Sequence, residues 1–353
     1  MSDWIAALKS AGIHRIDGRI VGVDDSYEEP RPGFAWSWDD LGYSTGAIFG
    51  ALNLAENRLT VTVTPGSVAG APTTLALNVD AEDLAIINRS VTGPPGSTPL
   101  VWPEMRPGET ALTVAGSVPV GGSTATLIVS AGNPTLWFAR SLRRRLLASG
   151  IEVSGPAVDG DDVNAGAPDD AVILYTYWSH PLSEIVKPLL KDSINLYGEA
   201  VQRLNASGLP PHTNDQALDG IKQRLASWGV AADAFQLVDG SGLSRRDVLT
   251  PEALLIVLTR MYDPAGASAW MTSLPIAGVD GTLVARMKGT PGENNVTAKT
   301  GTMSNVRSLA GYVRTRGGEA LAFVAMVNNF EGTGAQANAA LDAIAVRLAS
   351  FSR

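Results

Sequence analysis

Residues 298–303 read Ala-Lys-Thr-Gly-Thr-Met, and the sequence after them leaves few choices of fold. Two apolar runs, 308–315 and 320–328, are joined by Arg316-Gly317-Gly318-Glu319. Each run is long enough for a strand, and a short polar linker with two glycines closes such strands into a hairpin. Lys299, Thr300 and Gly301 then lie at the edge of that hairpin. A lysine there contributes positive charge, threonine hydroxyls can bind a carboxylate, and glycine lets another backbone lie close. Taken alone, a Lys-Thr-Gly is usually nothing more than a turn.

Support comes upstream. Lys191-Asp192-Ser193-Ile194-Asn195 contains a Ser-x-Asn element. Leu190, Ile194, Tyr197, Val201 and Leu204 follow helical spacing, which predicts a helix with that stripe inward. Ser193 and Asn195 lie off the stripe, near its start. Capping by Asp192 or Ser193 is the plainest reading, but it leaves Asn195 unexplained. A third stretch, Val238-Asp239-Gly240-Ser241-Gly242-Leu243-Ser244-Arg245, lies between the two and precedes a helix start at Thr250-Pro251-Glu252.

In type, order and spacing these stretches resemble the class C low-molecular-mass penicillin-binding proteins, cell-wall D-alanyl-D-alanine carboxypeptidases and endopeptidases. The likeness extends to Gly12-Ile13-His14-Arg15-Ile16-Asp17-Gly18, to Gly33-Phe34-Ala35-Trp36-Ser37-Trp38-Asp39-Asp40, and to residues 273–282. It covers nearly all of the chain. One element departs. The family's nucleophile is the serine of a Ser-x-x-Lys motif. The six lysines are Lys9, Lys187, Lys191, Lys222, Lys288 and Lys299, and three residues before them stand Ala6, Glu184, Pro188, Asp219, Ala285 and Val296. The expectation is therefore that the chain begins downstream of the nucleophile segment, as a shortened gene reading or a processed fragment rather than a natural pseudoenzyme. Ser183, with Lys187 four residues on, and Ser241, in a Gly-flanked turn, are the tempting substitutes.

The resemblance implies an α+β fold: a penicillin-binding-protein/serine β-lactamase-like transpeptidase domain, its antiparallel sheet flanked by helices and joined to a helical subdomain, with an inserted β-rich domain. Residues 1–132 would be the insertion and 133–353 the C-terminal part of the catalytic domain. The implied reaction passes through an acyl-enzyme on peptidoglycan stem peptides, which β-lactams imitate. The implied catalytic residues are Ser193, Asn195, Lys299, Thr300, Gly301 and Thr302. A substrate side-chain pocket would use Asp39 for an ammonium and Arg245 for a carboxylate. Trp36, Leu243 and Met303 would form its walls, and Ser304 would add a hydroxyl. The register of Tyr43 after Asp39 stays open. A β-lactamase or esterase of the same superfamily, or a non-catalytic peptidoglycan-binding relative, are the alternatives.

Composition narrows the field. A net charge of −8 argues against nucleic-acid binding, which wants a basic face. Arg143-Arg144-Arg145, between leucines, reads as the solvated face of a helix. There is no cysteine, so disulfides and thiolate metal sites are excluded. His14, His180 and His212 do not cluster in sequence, so no zinc site and no other cofactor is expected. No run approaches the roughly 20 apolar residues of a membrane span. No signal peptide opens the chain, so an extracytoplasmic location follows only from the resemblance. A homo-oligomer is left open as a way to cover apolar surface.

Along the chain, strands are expected over 16–22, 59–64, 74–79, 111–118 and 124–129. Breakers stand at Gly93-Pro94-Pro95-Gly96 and Arg106-Pro107-Gly108. Helices are expected over 4–11 and 136–150. A loop is expected over 155–170, a mostly helical region from 171 to about 275, and a last helix over about 335–350.

Overall fold

Strand β3 (Arg58–Thr64) shows how the first half is built. Its side chains alternate, and Leu59, Val61 and Val63 are buried to 1% exposure or less. The computed structural model describes residues 1–29, 31–79, 85–106, 111–166, 168 and 170–352, in two compact units. The first unit comprises Met1–Trp178 and Gly208–Thr213, and the second Ser179–Ser207 and Asn214–Arg353. The stretch 1–132 lies within the first unit. Pro107 and Gly108 lie outside the described residues, as do two positions of the 155–170 loop, residues 167 and 169.

The first unit opens with α1 (Ser2–Ser10), β1 (Arg15–Ile16) and β2 (Ile20–Gly22). After β3 come β4 (Thr74–Leu77), β5 (Ile86–Gly93), β6 (Leu100–Glu104), β7 (Leu112–Pro119) and β8 (Ala125–Ser130). Helix α2 (Pro134–Ala148), β9 (Glu152–Val153) and β10 (Ala157–Asp159) follow. The sheets run β4-β3-β8 and β5-β7-β6, and β5 is parallel to β7. One apolar core joins Leu59, Val61 and Val63 to Leu112, Val114 and Val118, closed by Trp137 of α2. β1 pairs β9 and β2 pairs β10, both parallel.

The strands expected over 59–64, 74–79, 111–118 and 124–129 form, with ends shifted by a few residues, whereas the one expected over 16–22 is split into β1 and β2, which pair in separate sheets. β5 and β6 escaped the sequence reading for a physical reason. β5 buries Ser90 and Thr92 while Ile87 and Val91 are each 44% exposed, so its pattern is inverted, and β6 contains Pro103. The arginine run is also less solvated than expected. Arg143 Nε donates to the Gly155 carbonyl at 2.7 Å, and the Arg144 guanidinium stacks over Trp137 at 5.2 Å.

The second unit carries α3 (Leu182–Lys191), α4 (Asn195–Arg203), α5 (Asn214–Ser227), β11 (Phe235–Gln236) and β12 (Val248–Leu249). Then come α6 (Pro251–Met261), α7 (Ala269–Ser273), β13 (Thr297–Met303), β14 (Val306–Arg314), β15 (Ala320–Asn328) and α8 (Gly334–Ala349). The expected hairpin is β14–β15, and β13 adds antiparallel to β14 at the edge. Two-residue periodicity gives the sheet two apolar faces. Ala298, Leu309, Val313 and Phe323 pack on Leu341, Ala345 and Ala349 of α8. Ala310, Tyr312, Ala322 and Val324 pack with Leu258 of α6, Trp270 of α7 and Leu274. Lys299 pairs Ala310 and so shares this second face. Thr250 caps α6, its Oγ accepting from Ala253 N, and Pro251 takes the first helical position as expected.

The single helix read through residues 190–204 is corrected. Ser193 adopts φ +57°, and the chain breaks into α3 and α4 on either side of it. The left-handed residue rotates the helical register. α4 therefore buries Leu196, Gly198, Glu199 and Gln202, while Leu204 is 62% exposed. Residues 171–181 are not helical; they form no regular element and are solvent-exposed, with Ile173 and Trp178 each 83% exposed. Among the described residues, no helix is long and apolar enough to cross a membrane.

Leu309, fully buried between sheet and α8, sets the test of this packing. Leu309→Ala is expected to lower unfolding free energy by about 2–5 kcal/mol. Ile173→Ser should change it by less than about 0.5 kcal/mol. Urea denaturation of both variants checks this; equal losses would mean that the sheet–α8 core does not bear the stability.

Candidate active site

The break between α3 and α4 brings Ser193 to the edge strand. Lys299 Nζ donates to Ser193 Oγ at 2.7 Å and to the Thr300 carbonyl at 2.6 Å. Neither Asp192 nor Ser193 caps α4; its N-cap is Ile194, without a side-chain bond. The capping alternative is thus removed, and the Ser193 hydroxyl is turned to the lysine instead. Asn195 is the first residue of α4 and half-buried.

Desolvation brings the Lys299 ammonium down to about 8 from its ordinary value of 10.5. Nothing acidic is among the causes; the lysine's oxygens come from a hydroxyl and a carbonyl. At neutral pH about a tenth of the lysine is then unprotonated.

The turn after Asp280 holds these parts together. Lys191 Nζ, at the end of α3, meets Asp280 Oδ2 at 2.6 Å, and the Ile276 N–H donates to Asp280 Oδ1 at 2.8 Å. Thr300 Oγ1 donates to Thr282 Oγ1 at 2.8 Å. Gly301 pairs with Ser308, and a Cβ at 301 would stand 2.2 Å from Ser308 Oγ. The close neighbour is thus a side-chain hydroxyl rather than the backbone expected. Thr302 is exposed on the edge strand.

Of the expected pocket residues, Leu243, Arg245, Met303 and Ser304 belong to the second unit, Leu243 and Met303 half-buried, Arg245 and Ser304 exposed. Trp36 and Asp39 belong to the first unit. Trp36 packs against that unit's core, and Asp39 is exposed in the helical turn Trp38–Asp40. The Tyr43 hydroxyl is raised by burial and then by the charges of Asp39 and Asp40, which sets it near them. Ser183 is exposed, and Lys187 pairs instead with Glu184 at 2.8 Å. Ser241 is engaged in its turn: its N–H and hydroxyl meet Glu199, and its Oγ accepts from Leu243 N.

Sequence reasoning missed an acidic cluster in the first unit. Carboxylate oxygens of Asp24, Asp159 and Asp161 lie within 4.8 Å of one another. Each has protein partners: Thr135 donates to Asp24, Asn133 donates to Asp159 at 2.8 Å, and Glu29 hydrogen-bonds Asp161. That bond, with burial, pushes the Glu29 carboxyl up to about 7.

The description "D-Ala-D-Ala carboxypeptidase 3 (S13) family" matches residues 1–350. The chain belongs to this family. It is 33% identical to a D-alanyl-D-alanine carboxypeptidase of Actinomadura sp. (strain R39), over 98% of this chain and 66% of that protein. It is 26% identical to D-alanyl-D-alanine carboxypeptidase DacB of Haemophilus influenzae, over 92% of this chain and 68% of that protein. The crystal structure of penicillin binding protein 4 (dacB) from Haemophilus influenzae superposes with a TM-score of 0.81 at 24% identity, covering 99% of this chain and 78% of that one. That likeness shows the fold, and the penicillin-binding-protein architecture expected from the sequence is the one found. This S13 chain spans about two thirds of the length of these two relatives.

Titration tests the central pair. In the S13 chain with 13C-methylated lysines, the Lys299 resonance should titrate near 8 rather than near the ordinary 10.4. The folded chain gives up this proton first, so between about 8 and 10.5 it binds fewer protons than the unfolded chain, and its stability rises with pH there. Lys299→Met should remove that rise. A midpoint near 10.4 would mean that the ammonium is solvated.

Proposed function

We propose that this chain is the larger part of a serine-type D-alanyl-D-alanine carboxypeptidase or endopeptidase of the cell wall. It would act outside the cytoplasm on peptidoglycan stem peptides and be acylated by β-lactams. The observation that carries the reading is the 2.7 Å contact between a desolvated Lys299 and Ser193. A lysine poised near 8 can exchange a proton with a neighbouring hydroxyl at neutral pH, which general acid–base catalysis requires. The names of the relatives support the same reaction class.

In this reading a serine attacks the carbonyl of the penultimate D-Ala, the peptide bond breaks, and the terminal D-Ala leaves as an amine. Water then releases the acid. Ser193, hydrogen-bonded to Lys299, would pass the proton to the leaving amine. Asn195 would hold the substrate amide through its donors and its carbonyl. Thr300 and Thr302 would bind the terminal carboxylate in the field of Lys299. β13 is at the edge of its sheet among the described strands, so a backbone N–H near Thr302 is free to serve as one oxyanion donor. The attacking serine and its lysine are not among these residues, since no lysine follows a serine by three. Residues 1–132 would be an insertion into the catalytic domain whose C-terminal part is 133–353.

The side-chain pocket would read the diamino acid of the stem. In the second unit, Arg245 would take its carboxylate through the guanidinium fork. Leu243 and Met303 would wall the stem, and Ser304 would add a hydroxyl.

The chain alone should give no covalent adduct with a fluorescent penicillin on intact-mass analysis; an adduct would reveal a different nucleophile. In an enzyme completed with a family nucleophile segment, Lys299→Ala should cut acylation on the order of 10²-fold or more. Unchanged acylation in a folded variant would reduce Lys299 to a structural residue of the edge strand. In the same enzyme, Arg245→Ala should slow a D-Ala-D-Ala peptide only when its diamino-acid terminus is free. Equal slowing with and without that terminus would remove Arg245 from the pocket.

A further inference from the structure

Three carboxyls meet beneath the turn that carries Leu243 and Arg245. Glu199 is 3% exposed and comes from α4, the helix that starts at Asn195. Its Oε1 accepts the N–H groups of Gly240 at 3.1 Å and Ser241 at 2.9 Å. Asp239, 5% exposed, accepts from Gly242 N and Ser244 N, each at 2.7 Å. Asp247 Oδ1 accepts from Val238 N at 2.7 Å. The backbones are in contact as well: a Cβ on Gly240 would stand 2.4 Å from the Gly198 carbonyl oxygen. Five backbone N–H groups of one short loop thus end on three carboxyls, and α4 is clamped to that loop.

One buried oxygen has no donor. Asp247 Oδ2 is out of solvent, and no N–H or hydroxyl reaches it. A bare carboxylate oxygen left so is costly, several times the net worth of an ordinary hydrogen bond. The Asp247 carboxyl is, however, hydrogen-bonded to Asp239. Two carboxyls can bond only if one of them keeps its proton. A protonated Asp247 donating to Asp239 resolves both facts.

We propose that Glu199, Asp239 and Asp247 are positioning residues, in which a proton retained between Asp247 and Asp239 locks the 239–247 turn onto α4 and so sets Leu243 and Arg245 for substrate. The role in substrate binding rests on the proposed function; the lock itself does not. The charged groups on the loop are Asp239 and Asp247, with Arg245 and Arg246 exposed on the same turn. From α4 they are Glu199 and Arg203, whose Nη1 lies 3.8 Å from Glu199 Oε2. From α5 comes the neutral Asn214, whose Nδ2 donates to the Val238 carbonyl.

The direction with pH follows. Burial first, then the Asp239 hydrogen bond and charge, raise Asp247 from 3.8 to about 8. Glu199 is raised too, by burial and then by Asp239. An acid raised in the closed turn stabilises it fully below about 4; that support fades as pH rises and is gone above about 8.

The test is amide hydrogen exchange of the S13 chain by NMR between pH 5 and 9.5, corrected for intrinsic rates and referenced to Ala310 in β14. Protection of Gly242 and Ser244 should fall with rising pH, up to about tenfold per unit, and level off above 8. Asp247→Asn, whose amide donates without titrating, should keep the low-pH protection and flatten the profile. Asp247→Ala should lose protection throughout. A flat wild-type profile, or an Asn variant as loose as the Ala variant, would overturn the lock. The second readout is the Kd of a D-Ala-D-Ala peptide with a free diamino-acid terminus, measured at pH 6.5 and 9 in both the wild type and Asp247→Asn. Weakening at pH 9 in the wild type alone supports the substrate role, and equal weakening in both overturns it. No peptide binding at any pH, with the exchange profile as stated, would sink the proposed function and leave the lock standing.

Discussion

A lysine ammonium stripped of water has to find oxygens inside the protein, and Lys299 finds them on Ser193 and on its own strand. Much of the second unit exists to make that meeting possible. The two residues are 106 positions apart. The lysine is placed by β13, held in register along seven pairs with β14. The serine is placed by a left-handed kink between two helices, a conformation that costs a non-glycine residue roughly 1 kcal/mol or more. The turn around Asp280 ties both ends: Lys191 reaches it from α3, and Thr300 reaches it from the strand. Each bond is worth only about 1 kcal/mol, so their effect is on geometry more than on stability.

The same unit contains a second departure from apolar packing. α4 turns a polar face inward, because the backbone of the 239–245 loop offers N–H groups that need acceptors. Glu199 supplies them, and burial then works against its charge. Leu204, just past the end of the helix, is correspondingly open to solvent. Such an exchange lowers stability locally and gains a fixed loop. A well-fixed loop is what a binding surface needs, since ordering it on binding would cost affinity.

Much was legible beforehand. The β14–β15 hairpin, the Thr250-Pro251 helix start and the last helix were all visible, because each depends on turn chemistry, capping or period within a dozen residues. The family was visible in short strings spread over the whole chain, which residues 1–350 then matched. The failures share a cause. β5 was missed because its buried side chains are Ser90 and Thr92, and the 190–204 stripe was misplaced because Ser193 breaks the register.

By itself, the sequence determined which chemical groups are present, their order, and the local elements that carry Lys299, Thr300 and Gly301. Tertiary structure alone decided that Ser193 faces Lys299 instead of capping a helix, that the lysine sits near 8, and that Glu199 points inward. The reason is that burial and desolvation belong to no residue. They are set by whatever the fold packs against it, and here those neighbours lie tens to more than a hundred positions away in the chain.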